Sequence, residues 1–231
     1  MTVGRTMLVK ILAVAAGGLL LFVAGCTGEQ PDQAGRLPVD QPESIHNRVD
    51  GCNASDGRDP FALNPAAIPN ASDPPFSNDK LPSAIQVDEN HHRLLASRIG
   101  VGVQVYDHDP ASGKWTFREP QANLYDIGTG VQHGVHFAGP YWTDVDGSRV
   151  KAKVSGETNA PIDSERNIKW LRLEAVEKFG SNDDVLSQVT FIQRVLTLGG
   201  QPPSTQQPTE GCATLSVPYT ALYLFWGSKP Q

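Results

Sequence analysis

Cysteine, methionine and cationic side chains are all scarce: the 231 residues hold three Cys, two Met and 19 Lys plus Arg against 25 Asp plus Glu. With a net charge of −6 and no clustered Lys or Arg, a nucleic-acid partner is excluded, because phosphate backbones are held by grouped cations. No C-x-x-C is present, which removes a redox pair or a cysteine zinc cluster. There is no G-x-S-x-G nucleophile elbow, and no G-x-G-x-x-G after a strand with βαβ alternation behind it, so a dinucleotide fold is excluded. Nor does any apolar run reach the ~20 residues that a helical membrane span needs.

The longest apolar run, Ile11 to Phe22, follows Arg5 and Lys10 and ends on small residues, the layout of a secretory signal. It closes on Val23-Ala24-Gly25-Cys26, which resembles the bacterial lipobox. That resemblance implies lipidation of Cys26 and cleavage of residues 1–25, and more than one acyl chain makes a stable anchor. The expected location is the outer, extracytoplasmic face of the cell membrane, contacted through the lipid only. Cleavage removes two positive charges and no negative ones, lowering the net charge from −6 to −8. With Cys26 blocked, Cys52 and Cys212 remain, and in an oxidising compartment a disulfide is the default. Closing so long a loop is worth up to ~5 kcal/mol in the chain-entropy account.

Residues 26–80 read as a tether: residues 27–83 hold nine of the eighteen prolines and little hydrophobic periodicity, with partial order expected near Cys52. The folded domain is expected over residues 81–231. Inside it the period is two. In "IGVGVQVY", Val101, Val103 and Val105 share one face and Gln104 and Tyr106 the other. "RVKAKV" sets Val150, Ala152 and Val154 against Arg149, Lys151 and Lys153. "VTFIQRVLTL" and "VPYTALYLFW" are apolar on both faces and predict strands covered on two sides. Turn chemistry interrupts at short intervals ("DPASGK", "DIGTG", "DGS", "GGQPPSTQQPTEG"). This predicts an all-β fold, a single antiparallel β-sandwich or barrel-like domain with short loops and little helix. The one helix candidate, "NIKWLRLEAVEKFG", is read as a strand followed by a loop.

The stretch "HGVHFAGPYWTDVDGS", residues 133–148, concentrates chemistry-bearing side chains. His133 and His136 point to opposite faces of an extended strand and converge only if Gly134 sits in a bulge. Asp144 and Asp146 lie on one side, at the mouth of a turn. His133, His136, Asp144 and Asp146 could then hold Zn²⁺ or Mn²⁺, or serve a hydrolase or isomerase. The simpler reading is a corner: Asp146-Gly147-Ser148 as a hairpin turn with Gly147 at positive φ. Trp142 and Tyr141 then belong to core and rim, although Trp142 and Trp115 near turns also suit a flat ligand or glycan.

Gln193 and Arg194 sit in the middle of an apolar strand. Arg194 is expected either in a buried ion pair with Asp144 or Asp146, or in an anion clamp lining a pocket. His91 and His92 are expected at the surface. The candidate ligand-binding set is therefore His136, Trp142, Asp144, Asp146, Gln193 and Arg194, with no catalytic residue and no cofactor assigned. A binding or surface-interaction module for a small ligand or glycan leads; a metal-dependent or acid/base enzyme and an envelope structural protein are the alternatives.

"GVQVY", the Trp of "GKWTF", "PQANLYD", "HFAGPYWTDVDGSRVKAKV", "IKWLRLEAV", "VTFIQRVLTLGGQPP" and "VPYTALYLFW" together resemble domain-of-unknown-function family 3455, in the right order over residues 81–226. The resemblance implies a secreted or lipid-anchored protein with no established activity. Relatives often carry a Cys two residues after the aromatic of Q-x-Y, whereas Tyr106 here is followed by Asp107 and His108. Cys212 stands where the family places a late cysteine.

Overall fold

In the computed structural model the described residues are 77–204 and 213–230, with the backbone of Cys52 and Asn53. All belong to one compact unit, Val39–Gln231. The Cys26 lipidation site and Cys212 of the expected disulfide lie outside the described residues. Strand β1 (Cys52–Asn53) runs parallel to the last strand, with Cys52 opposite Leu215.

Eight longer strands follow: β2 (His92–Asp109), β3 (Lys114–Asp126), β4 (Gln132–Phe137), β5 (Tyr141–Thr143), β6 (Arg149–Thr158), β7 (Trp170–Phe179), β8 (Val189–Gly199) and β9 (Thr214–Ser228). Each pairs antiparallel with the next, and β9 returns to pair along β2. The sheet is therefore a closed meander, so the barrel alternative of the sequence reading is the one realised. Closure satisfies the strand edges that an open sheet would expose. Helix among the described residues is confined to three-residue 3₁₀ turns. None is long and apolar enough to cross a membrane.

Register decides what faces inward. Across β8, β9 and β2, Arg194 pairs with Tyr223 and Tyr223 with Arg98, so both arginines share the inner wall with that tyrosine. Ala122, Leu124, Trp142, Leu171, Leu173, Ile192, Tyr219, Ala221 and Phe225 complete the inner core. Small residues face large ones: a Cβ on Gly100 would lie 2.5 Å from the Tyr223 ring, and one on Gly102 would lie 2.0 Å from the Gln121 carbonyl oxygen. Glycine at these two places lets Tyr223 lie against β2 and lets β3 approach it closely.

A second core lies outside the barrel. Leu222, Leu224 and Trp226 of β9 and Val195 of β8 pack under Leu81, Ile85 and Val87 of the preceding segment. Strands β8 and β9 are thus covered on both faces, which explains their unbroken apolar sequences. In β2 the two faces separate as expected, and it is Gln104 and Tyr106 that go inward, since Gln104 pairs with Val217 and Tyr106 with Leu215, while Val101 and Val103 face outward and stay half-exposed. One expectation is corrected. The segment expected as strand then loop is strand throughout, Trp170–Phe179, because β6 pairs along it as far as Phe179.

Candidate functional site

The corner at residues 133–148 forms first from local rules. Ser148 donates to Asp146 Oδ1 through its backbone N–H (2.8 Å) and its hydroxyl (2.5 Å), and Gly147 takes φ +89°. Asp146 Oδ2 accepts the Val185 N–H at 2.8 Å, and the Ser148 hydroxyl oxygen accepts the Leu186 N–H at 3.0 Å. The turn therefore anchors the 3₁₀ turn Leu186–Gln188 and the loop before it. Burial pushes the Asp146 carboxyl up, but these donors together hold it below the ordinary carboxylate value.

Strand β4 carries a bulge at His133, where Leu124 and Tyr125 pair with Gly134 and Gln132. The bulge exists, yet the two histidines do not converge. His133 turns to Arg98 and Asp144: its Nδ1 lies 3.4 Å from Arg98 Nη2 and 3.6 Å from Asp144 Oδ1. Arg98 binds Asp144 at 3.1 Å and Asp126 at 3.4 Å. His136 instead enters the barrel, donates from Nδ1 to the Tyr141 carbonyl at 2.8 Å and stacks on Trp142 at a ring separation of 4.0 Å. Burial, helped by the nearby Arg194 charge, pushes its pKa down to about 3, so the imidazole is neutral at ordinary pH. Of the four candidate metal residues, only His133 and Asp144 meet. Among the described residues no three His, Cys, Asp or Glu side chains are grouped to hold a metal ion.

The acid partner expected for Arg194 belongs to Arg98. Arg194 donates from Nε and Nη2 to the Lys169 carbonyl, at 3.2 and 3.0 Å, and no carboxylate among the described residues pairs with it. It is half-buried although its wall faces the interior. Its charge reaches Tyr106, Tyr219, Tyr223 and His136. Tyr219 and Tyr223 share a hydrogen bond at 3.1 Å, and Tyr106 donates to the Gly200 carbonyl at 2.6 Å. Burial raises all three phenols, so they stay neutral. Gln104 reaches the Tyr219 hydroxyl, and a further interior donor, Trp142 Nε1, is buried without an acceptor. Directly after Arg194, β8 bulges, and Leu196 takes φ +51°, a conformation strained for leucine.

Gln193 is separated from its neighbour, because successive residues of a strand face opposite sides. It lies in the outer core, donates to Asn78 Oδ1 (2.9 Å) and the Ile85 carbonyl (2.6 Å), and accepts from Trp226 Nε1 (2.8 Å). That network ties the preceding segment to the barrel. Trp142 is 1 % exposed, a wall of the interior and not a surface platform. His91 is exposed and bonded to Asp88, and His92 packs edge-on against Phe191. The interior residues that sequence reasoning missed are Arg98, Gln104, Tyr106, Tyr219 and Tyr223. The signal for Gln104 and Tyr106 was present as the polar face of "GVQVY", but only closure of the barrel shows that this face is inside.

The chain matches a family described as "Protein of unknown function (DUF3455)" over residues 89–227, well over half its length. It belongs to DUF3455. The matched residues span β2 to the end of the buried part of β9, so the DUF3455 unit and the barrel coincide. No curated protein and no solved structure matches the chain.

Proposed function

We propose that this DUF3455 chain is a binding module for a small organic molecule, lipid-anchored on the extracytoplasmic face. The observation that carries this is Arg194: it stands on the inner wall, half-buried, with a carbonyl as its partner and no carboxylate. A cation kept in a barrel for structure alone is normally paired, because burying an unpaired charge is costly. The strained Leu196 beside Arg194 fits the same reading, since strain gathers at binding sites. The lipobox-like Val23-Ala24-Gly25-Cys26 supports the anchor. An enzyme using His133, His136, Asp144 and Asp146 is disfavoured by their separation and by the turn bonds of Asp146.

The test is uptake of the environment-sensitive dye 1-anilinonaphthalene-8-sulfonate by the folded, lipid-free protein. Saturable one-to-one binding with a blue-shifted emission is expected. A protein that melts cooperatively and takes up no dye would sink the reading. For the anchor, incorporation of labelled palmitate should disappear in Cys26→Ala.

A further inference from the structure

We infer that the outer face of β5, β6 and β7 is a docking surface for a polypeptide segment that presents a carboxylate between apolar side chains. It goes beyond the binding proposed above and involves none of its residues. Trp142, Val150 and Ala152 belong to the inner core, so Tyr141, Arg149 and Lys151 beside them point outward. Register lays two rows across the strands: Phe137, Tyr141, Lys151 and Glu177 in one, Thr143, Arg149 and Phe179 in the next.

Most of the charged and hydroxyl groups in these rows are spent on one another. Glu177 accepts from Lys151 Nζ through Oε1 at 2.8 Å and from the Tyr141 hydroxyl through Oε2 at 2.9 Å. Arg149 is the exception. Its guanidinium lies over the Tyr141 ring at 5.0 Å and over the Phe179 ring at 4.4 Å, and among the described residues no oxygen accepts from it. Arg93, Arg98, Arg118, Arg166, Arg172 and Arg194 each reach an oxygen. Glu177 feels the Arg149 charge, but both its oxygens are already taken. Ring contact thus holds the planar group in place without consuming its N–H donors.

What is left unspent defines the partner. A fork of donors is matched by a carboxylate. Phe179 is 38 % exposed and Phe137 half-buried, so apolar neighbours of that acid have rings to cover. A polysaccharide needs acceptors as much as donors, and the one carboxylate of these rows has none to give. A second copy of this chain fits poorly: a two-fold contact would set Arg149 against its own image with no free acid between them. Arginine and tyrosine grouped on one face are also what the centres of protein–protein contacts are made of.

The experiment titrates the protein with a blocked hexapeptide of alternating phenylalanine and glutamate, and with its glutamine counterpart. Calorimetry measures affinity, and the Arg149 Nε–Hε signal in a ¹⁵N spectrum reports the place. The glutamate peptide should move that signal saturably and bind about tenfold more tightly than the glutamine one. In Arg149→Met the preference should vanish, and Arg149→Lys, which lacks the fork, should restore only part of it. A melt of each variant checks folding. Equal binding of the two peptides overturns the carboxylate. A preference that survives Arg149→Met overturns the assignment to Arg149. Polygalacturonate moving the signal where the peptide does not overturns the polypeptide. A dimer in sedimentation that Arg149→Met abolishes overturns the foreign partner in favour of a second copy. No shift with either peptide overturns the docking surface itself.

Discussion

Two arginines stand on the inner wall on either side of Tyr223, and they live in opposite surroundings. Arg98 is 8 % exposed and closes a cluster with Asp144, Asp126 and His133. Arg194 has the Lys169 carbonyl and neutral phenols. The same side chain on the same wall is in one place a fastening between strands and in the other an unmatched charge. Whether a buried cation is structural or functional depends on the carboxylates that the topology delivers to it.

Breaking the fastening should have the largest effect. Arg98→Met leaves Asp144 buried with its charge uncompensated, and should cost about 3–5 kcal/mol in a denaturant melt. A loss below 1 kcal/mol would show that the cluster is not a fastening.

Next in size is the turn that holds the cluster's strand. Asp146→Ala removes acceptors for two Ser148 bonds and for the Val185 N–H, and should cost about 2–3 kcal/mol. Gly147→Val should cost less, about 1–2 kcal/mol, because a Cβ there meets no atom within 4 Å and only the backbone is strained. This reverses the order that turn chemistry alone suggests, and parallel melts would check it.

His136 sharpens the comparison through pH. In the unfolded chain its imidazole gains a proton as pH falls through about 6.5, whereas in the barrel it stays neutral down to about 3. Stability from this group is complete above 6.5 and is lost as pH falls toward 3, with about 3 kcal/mol gone by pH 4.5. His136→Phe should flatten that part of the stability–pH curve; an unchanged slope would contradict the burial assigned to it.

The smallest effect should come from Arg194→Met, within about 1 kcal/mol of wild type, since no ion pair is lost with its bonds to the Lys169 carbonyl and the Tyr223 hydroxyl. A loss comparable to that of Arg98→Met would erase the difference between the two arginines.

Much of this was legible beforehand for local reasons. The turn at Asp146-Gly147-Ser148 and the alternation in "RVKAKV" depend on neighbours one to three residues away; the turn appears as expected, and the alternation holds for Val150 and Ala152 but ends at Val154, which is exposed. The opposite faces of Gln193 and Arg194 could also have been read, because adjacent strand residues cannot line one pocket. The partner of Asp144 could not. Arg98 lies 46 positions away in sequence, and only the bulge at His133 and the β2–β3–β4–β5 register bring the group together.

By itself the sequence determined an all-β chain of short strands, its turns, its membership of DUF3455 and the doubly covered strands β8 and β9. Tertiary structure alone decided which face of each strand is inside. Alternation marks two faces but not which of them curls inward, and β2 turns its valines out and Gln104 and Tyr106 in. Barrel closure between β9 and β2 chooses that face, and with it chooses which arginine meets an acid and which is left unmatched.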